Sequence, residues 1–247
     1  MRRHMFRWSP ARIIAGAFGS ISFIGSILLY LPWGHMPGQS ITYVAALYTA
    51  VSALCVTGLS IVDTAAVFNP FGQAILAVLI QVGGLGVSTM GAGVLLMLGR
   101  KVGIRQRNLI HDTMNLDSYS GVVRFLRTLF ATTVFIEIIG AFLGYFVFRR
   151  DYEMMESIGL SIFHSISSFN NAGLTILTKE RSMEMYVEDP FMLILTTALV
   201  FVGGLGFIVI RECWVNRFRW RKLSMHSRVS IFMAVFLLIG GAVLLKP

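Results

Sequence analysis

The chain has 247 residues, 55% of them hydrophobic and only 13% charged, with a formal net charge of +9. Soluble domains carry about 25% charged residues, so this composition excludes an ordinary soluble fold and points to an integral membrane protein. The positive excess could indicate a nucleic-acid partner, but it lies in clusters beside long apolar runs, which makes it a topology signal instead.

The N-terminal stretch MRRHMFRWSPARIIAG carries the basic flank of a secretory signal. The apolar run then continues to Leu31 and no small-residue cleavage site follows, so a retained first span is predicted over about 11–31. No Lys, Arg, Asp or Glu stands between Ile13 and Val62, or between Thr64 and Gly99. Each stretch far exceeds the roughly 20 apolar residues that cross a hydrocarbon core. Within the first lies YVAALYTAVSALC, residues 43–55, too short to cross and too apolar to stay in water. A short helix entering from the outer face is predicted here, with an extended return at VTGLS. A second span is predicted over about 71–98.

The segment GRKVGIRQRNLIHDTMNLDSYSG, basic and amphipathic, follows and reads as lying on the inner membrane surface. Next come a span at about 122–148, a short segment SIGLSIFHSISSFN, the break NAGLT, an acidic stretch and a span at about 191–210. A basic connector leads to the last apolar run, which closes on LLKP. Arg2, Arg3, Arg7 and Arg12 precede the first span, and two further basic clusters run from Arg100 to Arg127 and from Arg211 to Arg228. Asp63, Asp151, Glu153, Glu156, Glu180, Glu184, Glu188 and Asp189 fall in the other connections. Lysine and arginine near span ends mark the cytoplasmic side. The expected protein is therefore multi-pass in the cell inner or plasma membrane, with its N-terminus cytoplasmic. Cys55 and Cys213 then fall on opposite faces and cannot pair within one chain.

A shift of about 115 residues places Ser52 on Ser167, Gly58 on Gly173 and Leu59 on Leu174. A shift of about 120 places NPF (69–71) on DPF (189–191) and VGGLG (82–86) on VGGLG (202–206). Matched blocks in the same order indicate one supersecondary unit used more than once. The predicted fold is an all-α integral membrane protein of span–re-entrant pore loop–span units, two complete and a third begun, like a potassium channel. Residues 1–99 form the first repeat, 100–121 a cytoplasmic connector, 122–211 the second repeat, 212–228 another cytoplasmic connector, and 229–247 the first span of a third, truncated repeat.

Irregular backbone at membrane depth is tolerated only where protein buries it or a water-filled path runs beside it. Rings of backbone carbonyls from re-entrant loops can replace the hydration shell of a potassium ion, and glycine lets consecutive carbonyls point one way. The short helix before each break also aims the negative end of its dipole at the path. Val56, Thr57 and Gly58, with Asn171, Ala172 and Gly173, are the candidate filter residues. Each glycine could instead simply permit a tight turn between packed helices; duplication of the whole unit favours the filter.

The stretches ALYTAVSALCVTGLS, QVGGLG, HSISSFNNAGLT and LSMHSRV resemble the Trk/Ktr/HKT superfamily of potassium-transporting membrane subunits, over essentially the whole chain. The resemblance implies four span–pore loop–span units around one central pore, each contributing a filter glycine. It implies potassium, sometimes sodium, as the transported ion, with no cofactor. It also implies a homodimer and a cytoplasmic ring of nucleotide-binding regulatory subunits. Glycine at position 58 resembles the potassium-selective members. The family's third and fourth filter glycines, its gating loop and an arginine of its last span have no counterpart here. The expectation is therefore a piece of a longer transporter, or a chain completed by another polypeptide.

Glu137 stands inside the apolar run TTVFIEIIGAF, where an ionisable residue is costly and suspected of function; an internal hydrogen bond would explain it equally well. His164 in the second short helix either senses pH or merely packs. Neither GGLG has the spacing of a dinucleotide fingerprint; small residues in a span let helices approach closely. A membrane enzyme using Ser165, His164 or Glu137 is disfavoured, because no repeated nucleophile–base pair appears within the spans. A non-conducting product that competes for assembly is the remaining alternative.

Overall fold

The computed structural model describes residues 10–86, 89, 122–177, 183–217 and 219–244. The connector expected at 100–121, the far part of the second span (87, 88 and 90–98), and Arg2, Arg3, Arg7 and Glu180 lie outside the described residues. Among the described residues there is no strand, only one isolated bridge between His35 and Phe68. In chain order the helices are α1 (Pro10–Tyr30), α2 (Tyr43–Cys55), α3 (Thr64–Val67), α4 (Pro70–Leu85), α5 (Val122–Phe148), α6 (Met154–Phe169), α7 (Pro190–Gly204), α8 (Phe207–Val215) and α9 (Met225–Leu244).

The Phe125–Phe148 part of α5, and α9, are long and apolar enough to cross a membrane. Large apolar side chains such as Ile24, Val78, Phe142 and Ile194 are exposed along the helices. A soluble monomer does not present apolar surface on this scale. The chain is an all-helical membrane protein.

It divides into two compact units, Met1–Phe130 with Ala172–Glu180, and Ala131–Asn171 with Arg181–Pro247. In the first, α1, α2 and α4 pack on one another. The 13 residues of α2 span only about 20 Å at 1.5 Å per residue. The helix starts where the Thr42 hydroxyl accepts from the Ala45 N–H at 3.3 Å and stops where Val56 turns left-handed at φ 57°, ψ 41°. Its buried face is built from Ala45, Ala46, Thr49, Ala50, Ser52, Ala53 and Leu54, mostly small residues that allow close helix approach. Asn69 caps α4: its side-chain oxygen accepts from the Phe71 and Gly72 N–H groups, and its amide donates to the Trp33 and His35 carbonyls. Pro70 occupies the first helical position, where its missing N–H costs nothing.

The second unit holds α6 against α7, and α8 against α9. Asp189 caps α7 as Asn69 caps α4, accepting from Phe191 and Met192 N–H, and it also pairs with Arg150 at 2.7 Å. Both units contain the same close approach. A Cβ on Gly83 would fall on the Leu54 carbonyl oxygen, and one on Gly203 would fall on that of Phe169. Leu79 crowds Gly25, and Leu199 crowds Gly140, each at 2.9 Å from where a Cβ would stand.

The sequence predicts a single span over 191–210. Over that stretch α7 ends at Gly204 and α8 leaves at 98°, the two together being long and apolar enough for one bent span. Gly206 sits at φ 82°, ψ 147°, outside the helical region. Oriented to satisfy its neighbours, the Asn171 amide donates to the Val200 carbonyl and accepts from Gly204 N–H, each at 3.3 Å. The Leu205 N–H still bonds the Phe201 carbonyl at 3.2 Å, so the ladder runs to Leu205 and the bend falls at Gly206, whose dihedrals a residue with a side chain rarely adopts.

Two predictions follow from this packing. Gly203→Ala should destabilise the protein by about 1–3 kcal/mol, read as a lowered thermal midpoint in detergent. Gly240→Ala, where no atom lies within 4 Å of the new methyl, should not. The Asp189 carboxyl is held below its ordinary pKa first by the Met192 N–H, with the Phe191 N–H and Arg150 assisting against some desolvation. Its contribution to stability is full above the ordinary aspartate pKa of about 4 and is lost as pH falls through the lowered folded value. The stability gap between wild type and Asp189→Asn should therefore narrow on acidification across that window.

Candidate ion-coordinating site

The two glycine breaks leave the short helices α2 and α6 in matching ways. Val56 and Asn171, each two residues before the glycine, are left-handed at φ 57° and 58°; Gly58 and Gly173 are left-handed at φ 74° and 70°. For Asn the left-handed region is accessible, whereas for a β-branched valine it is an outlier of a kind that persists only when its surroundings over-determine it. The surroundings of Val56 do so: its N–H donates to Ala53 O at 3.3 Å, and the next N–H, of Thr57, donates to Ser52 O at 3.0 Å.

Ser52 organises the first return. Its hydroxyl donates to the Leu59 carbonyl at 2.5 Å and lies 2.9 Å from the Thr57 hydroxyl, so the strand after α2 is folded back onto the last turn of the helix. Farther along, the Thr64 hydroxyl donates to the Thr175 carbonyl, and the Thr175 hydroxyl accepts from Leu177 N–H at 3.1 Å. Side-chain hydroxyls thus hold an irregular backbone that has no ladder partner.

Within the first unit these contacts bring Gly58 against the 172–173 segment. A Cβ built on Gly58 would stand 2.6 Å from the Ala172 carbonyl oxygen and 3.4 Å from the Gly173 Cα. One built on Gly173 would stand 3.6 Å from the Gly58 Cα. Thr57 and Gly173 are exposed, Val56 and Gly58 half-buried, and Ala172 buried. Among the described residues, no hydrogen bond consumes the carbonyls of Val56, Thr57, Gly58, Ala172 or Gly173. Backbone carbonyls in such a cluster can meet a desolvated cation. The described residues hold no group of three His, Cys, Asp or Glu, so the oxygens on offer here come from backbone and hydroxyls.

Of the six candidate residues, then, Val56, Thr57, Gly58, Ala172 and Gly173 share one unit, while Asn171 belongs with α7 through its amide. The sequence places Asn171 among the filter candidates by its backbone; the contact of its side chain with α7 carries no sequence signal. His164 bonds the Thr196 hydroxyl at 3.0 Å and packs edge-on to Phe148. Ser165 donates to the Glu137 main-chain carbonyl at 2.7 Å. Cys55 and Cys213 are both free thiols.

A family model described as TrkH, cation transport protein, matches residues 10–242. The chain is 34% identical over 238 residues to the potassium/sodium uptake protein NtpJ of Enterococcus hirae, covering 96% of this chain and 52% of that protein. It is 34% identical to the Ktr system potassium uptake protein B of Bacillus subtilis, covering 91% and 49%. It is 35% identical to the Ktr system potassium uptake protein B of Vibrio alginolyticus, covering 98% and 53%. The chain spans about half the length of the curated relatives it matches.

Removing the Ser52 hydroxyl leaves the Leu59 carbonyl and the Thr57 hydroxyl without their shared partner. Ser52→Ala should cost about 1–2 kcal/mol in thermal unfolding. The neighbouring exposed Cys55 thiol should also react faster with a thiol reagent as the end of α2 loosens.

Proposed function

Because the chain belongs to the TrkH family of cation transport proteins, which are transporters and not enzymes, we propose that it conducts potassium through a path lined by its glycine-centred loops. The two blocks, 1–99 and 122–211, are two copies of one span–pore loop–span unit. In this reading α2 and α6 are the pore helices, and Val56–Gly58 and Asn171–Gly173 are their filter segments. The supporting observation is the approach of Gly58 to the Ala172 carbonyl and the Gly173 backbone, in a cluster whose carbonyls no hydrogen bond consumes. Potassium is the transported substrate and needs no resident cofactor.

Two loops supply only part of a ring of oxygens. Relatives about twice as long support further loops from additional polypeptide completing it, and the whole transporter's activity rests on that completion. The name of the Enterococcus hirae relative includes sodium, which supports sodium permeation as the second reading. A chain lacking that completion would be non-conducting, which is the third. The cytoplasmic N-terminus in a plasma or inner membrane, the homodimer and the regulatory nucleotide-binding ring belong to the same proposal; the basic clusters support the first of these.

The test is uptake by cells lacking their own potassium transporters, expressing this chain in an assembly that restores growth at low potassium. Gly58→Ser forces a side chain into left-handed backbone and onto the Ala172 carbonyl, so one substitution disturbs both loops. Potassium-over-sodium selectivity should fall by about tenfold, equivalent to 1.4 kcal/mol, and Gly173→Ser should act in the same direction. Unchanged uptake and selectivity in both variants, at wild-type membrane levels, would remove the filter reading.

A further inference from the structure

The least comfortable residue in the described helices is Glu137, in the middle of the apolar helix α5. It contacts α6 twice. Its main-chain carbonyl accepts from the Ser165 hydroxyl at 2.7 Å, and its carboxyl Oε1 accepts from the Asn170 amide at 3.3 Å. The helices are in near-contact at this point, since a Cβ on Gly140, one turn along α5, would fall on the Ser165 oxygen.

Asn170 is the C-terminal cap of α6. Its amide nitrogen donates both to Glu137 Oε1 and, at 2.9 Å, to the Ile166 carbonyl of the last helical turn. Its own N–H donates back to Ile166 at 3.0 Å. The residue is almost fully buried, and the next one is the left-handed Asn171 that launches the return. Glu137 therefore holds the last fixed point of the helix before the loop. A half-buried acceptor oxygen that fixes such a group sets the direction of whatever follows it, as outer-shell partners do for metal ligands.

Among the described residues, no carboxylate holds the corresponding end of α2. Residues 115 places earlier are Ser22 and Cys55, and the work of holding that return falls to Ser52, through Thr57 and Leu59. Among the described residues a carboxylate is thus aimed at the residue preceding the second candidate segment, whereas hydroxyls hold the first.

We propose that Glu137 is a positioning residue for the second loop: by holding the Asn170 amide it fixes where the 171–173 carbonyls point, and so contributes to cation discrimination. This rests on the filter reading above.

The experiment compares Glu137→Gln, Glu137→Ala, Asn170→Ala and the double alanine variant, with Gly173→Ser alongside. The readouts are half-saturating potassium concentration and potassium-over-sodium selectivity, in the assembly that supports uptake with the wild-type chain. Glutamine keeps an acceptor oxygen at the same place. Expected are near-wild-type selectivity for Glu137→Gln and a loss on the order of tenfold for Glu137→Ala. Asn170→Ala should lose a similar amount, and the double variant should be no worse than either single one. Should Glu137→Ala not accumulate in the membrane, Asn170→Ala reads the same contact from the α6 side. Wild-type selectivity in both alanine variants overturns the proposal, as does an equal loss in Glu137→Gln and Glu137→Ala, which would mean that charge matters and the hydrogen bond does not. If Gly173→Ser alters selectivity while these variants do not, this inference fails alone; if Gly173→Ser and Gly58→Ser are also silent, the filter reading fails with it.

Discussion

The contact on which the rest of this structure depends is a helix end pressed against a glycine. The Leu54 carbonyl at the end of α2 lies where a side chain of residue 83 would begin, and the Phe169 carbonyl at the end of α6 lies likewise against residue 203. Each short helix can sit that deep against its neighbour only because that neighbour presents bare backbone. Depth in turn decides where the chain must stop being helical and turn back. Non-helical backbone inside a bilayer has to find its partners in protein or along a polar path, and both returns begin within two residues of this contact.

The two returns solve that accounting differently. After α2, hydroxyls do the work: Ser52 spans from Thr57 to Leu59, and Thr64 reaches the Thr175 carbonyl. After α6, amides and a carboxyl take over, with Asn170 bonded to Glu137 and the Asn171 amide set against the last turn of α7. The same backbone path, left-handed at residues 56 and 58 and again at 171 and 173, is thus upheld by unrelated side chains.

The bend after α7 belongs to the same logic. The Asn171 amide meets the Val200 carbonyl and the Gly204 N–H at the end of this helix, and the glycine at 206 lets the chain leave at 98°. Loop and helix break are therefore physically joined through one residue, Asn171. Its side chain answers to α7 while its backbone turns the loop.

Much of this was legible in the amino-acid order alone. Long uncharged runs specify a membrane protein, because charges are costly in hydrocarbon and their absence is easily counted. The offsets of about 115 and 120 residues mark the repeated glycines, and Asn69–Pro70 and Asp189–Pro190 mark the starts of α4 and α7, because caps are local chemistry. A 13-residue apolar run followed by a glycine break forecasts a helix too short to cross. What only the tertiary structure decided is which groups hold the returns and where an apolar run breaks. Residues 191–210 read as one straight span because hydropathy records composition and takes no account of the bend at Gly206. The partnership of Glu137 with Asn170 joins residues 33 positions apart, and nothing in either neighbourhood encodes the other. Local signals set the elements because they act within a turn or two of helix; the placement of buried polar groups depends on which distant chain happens to be packed against them.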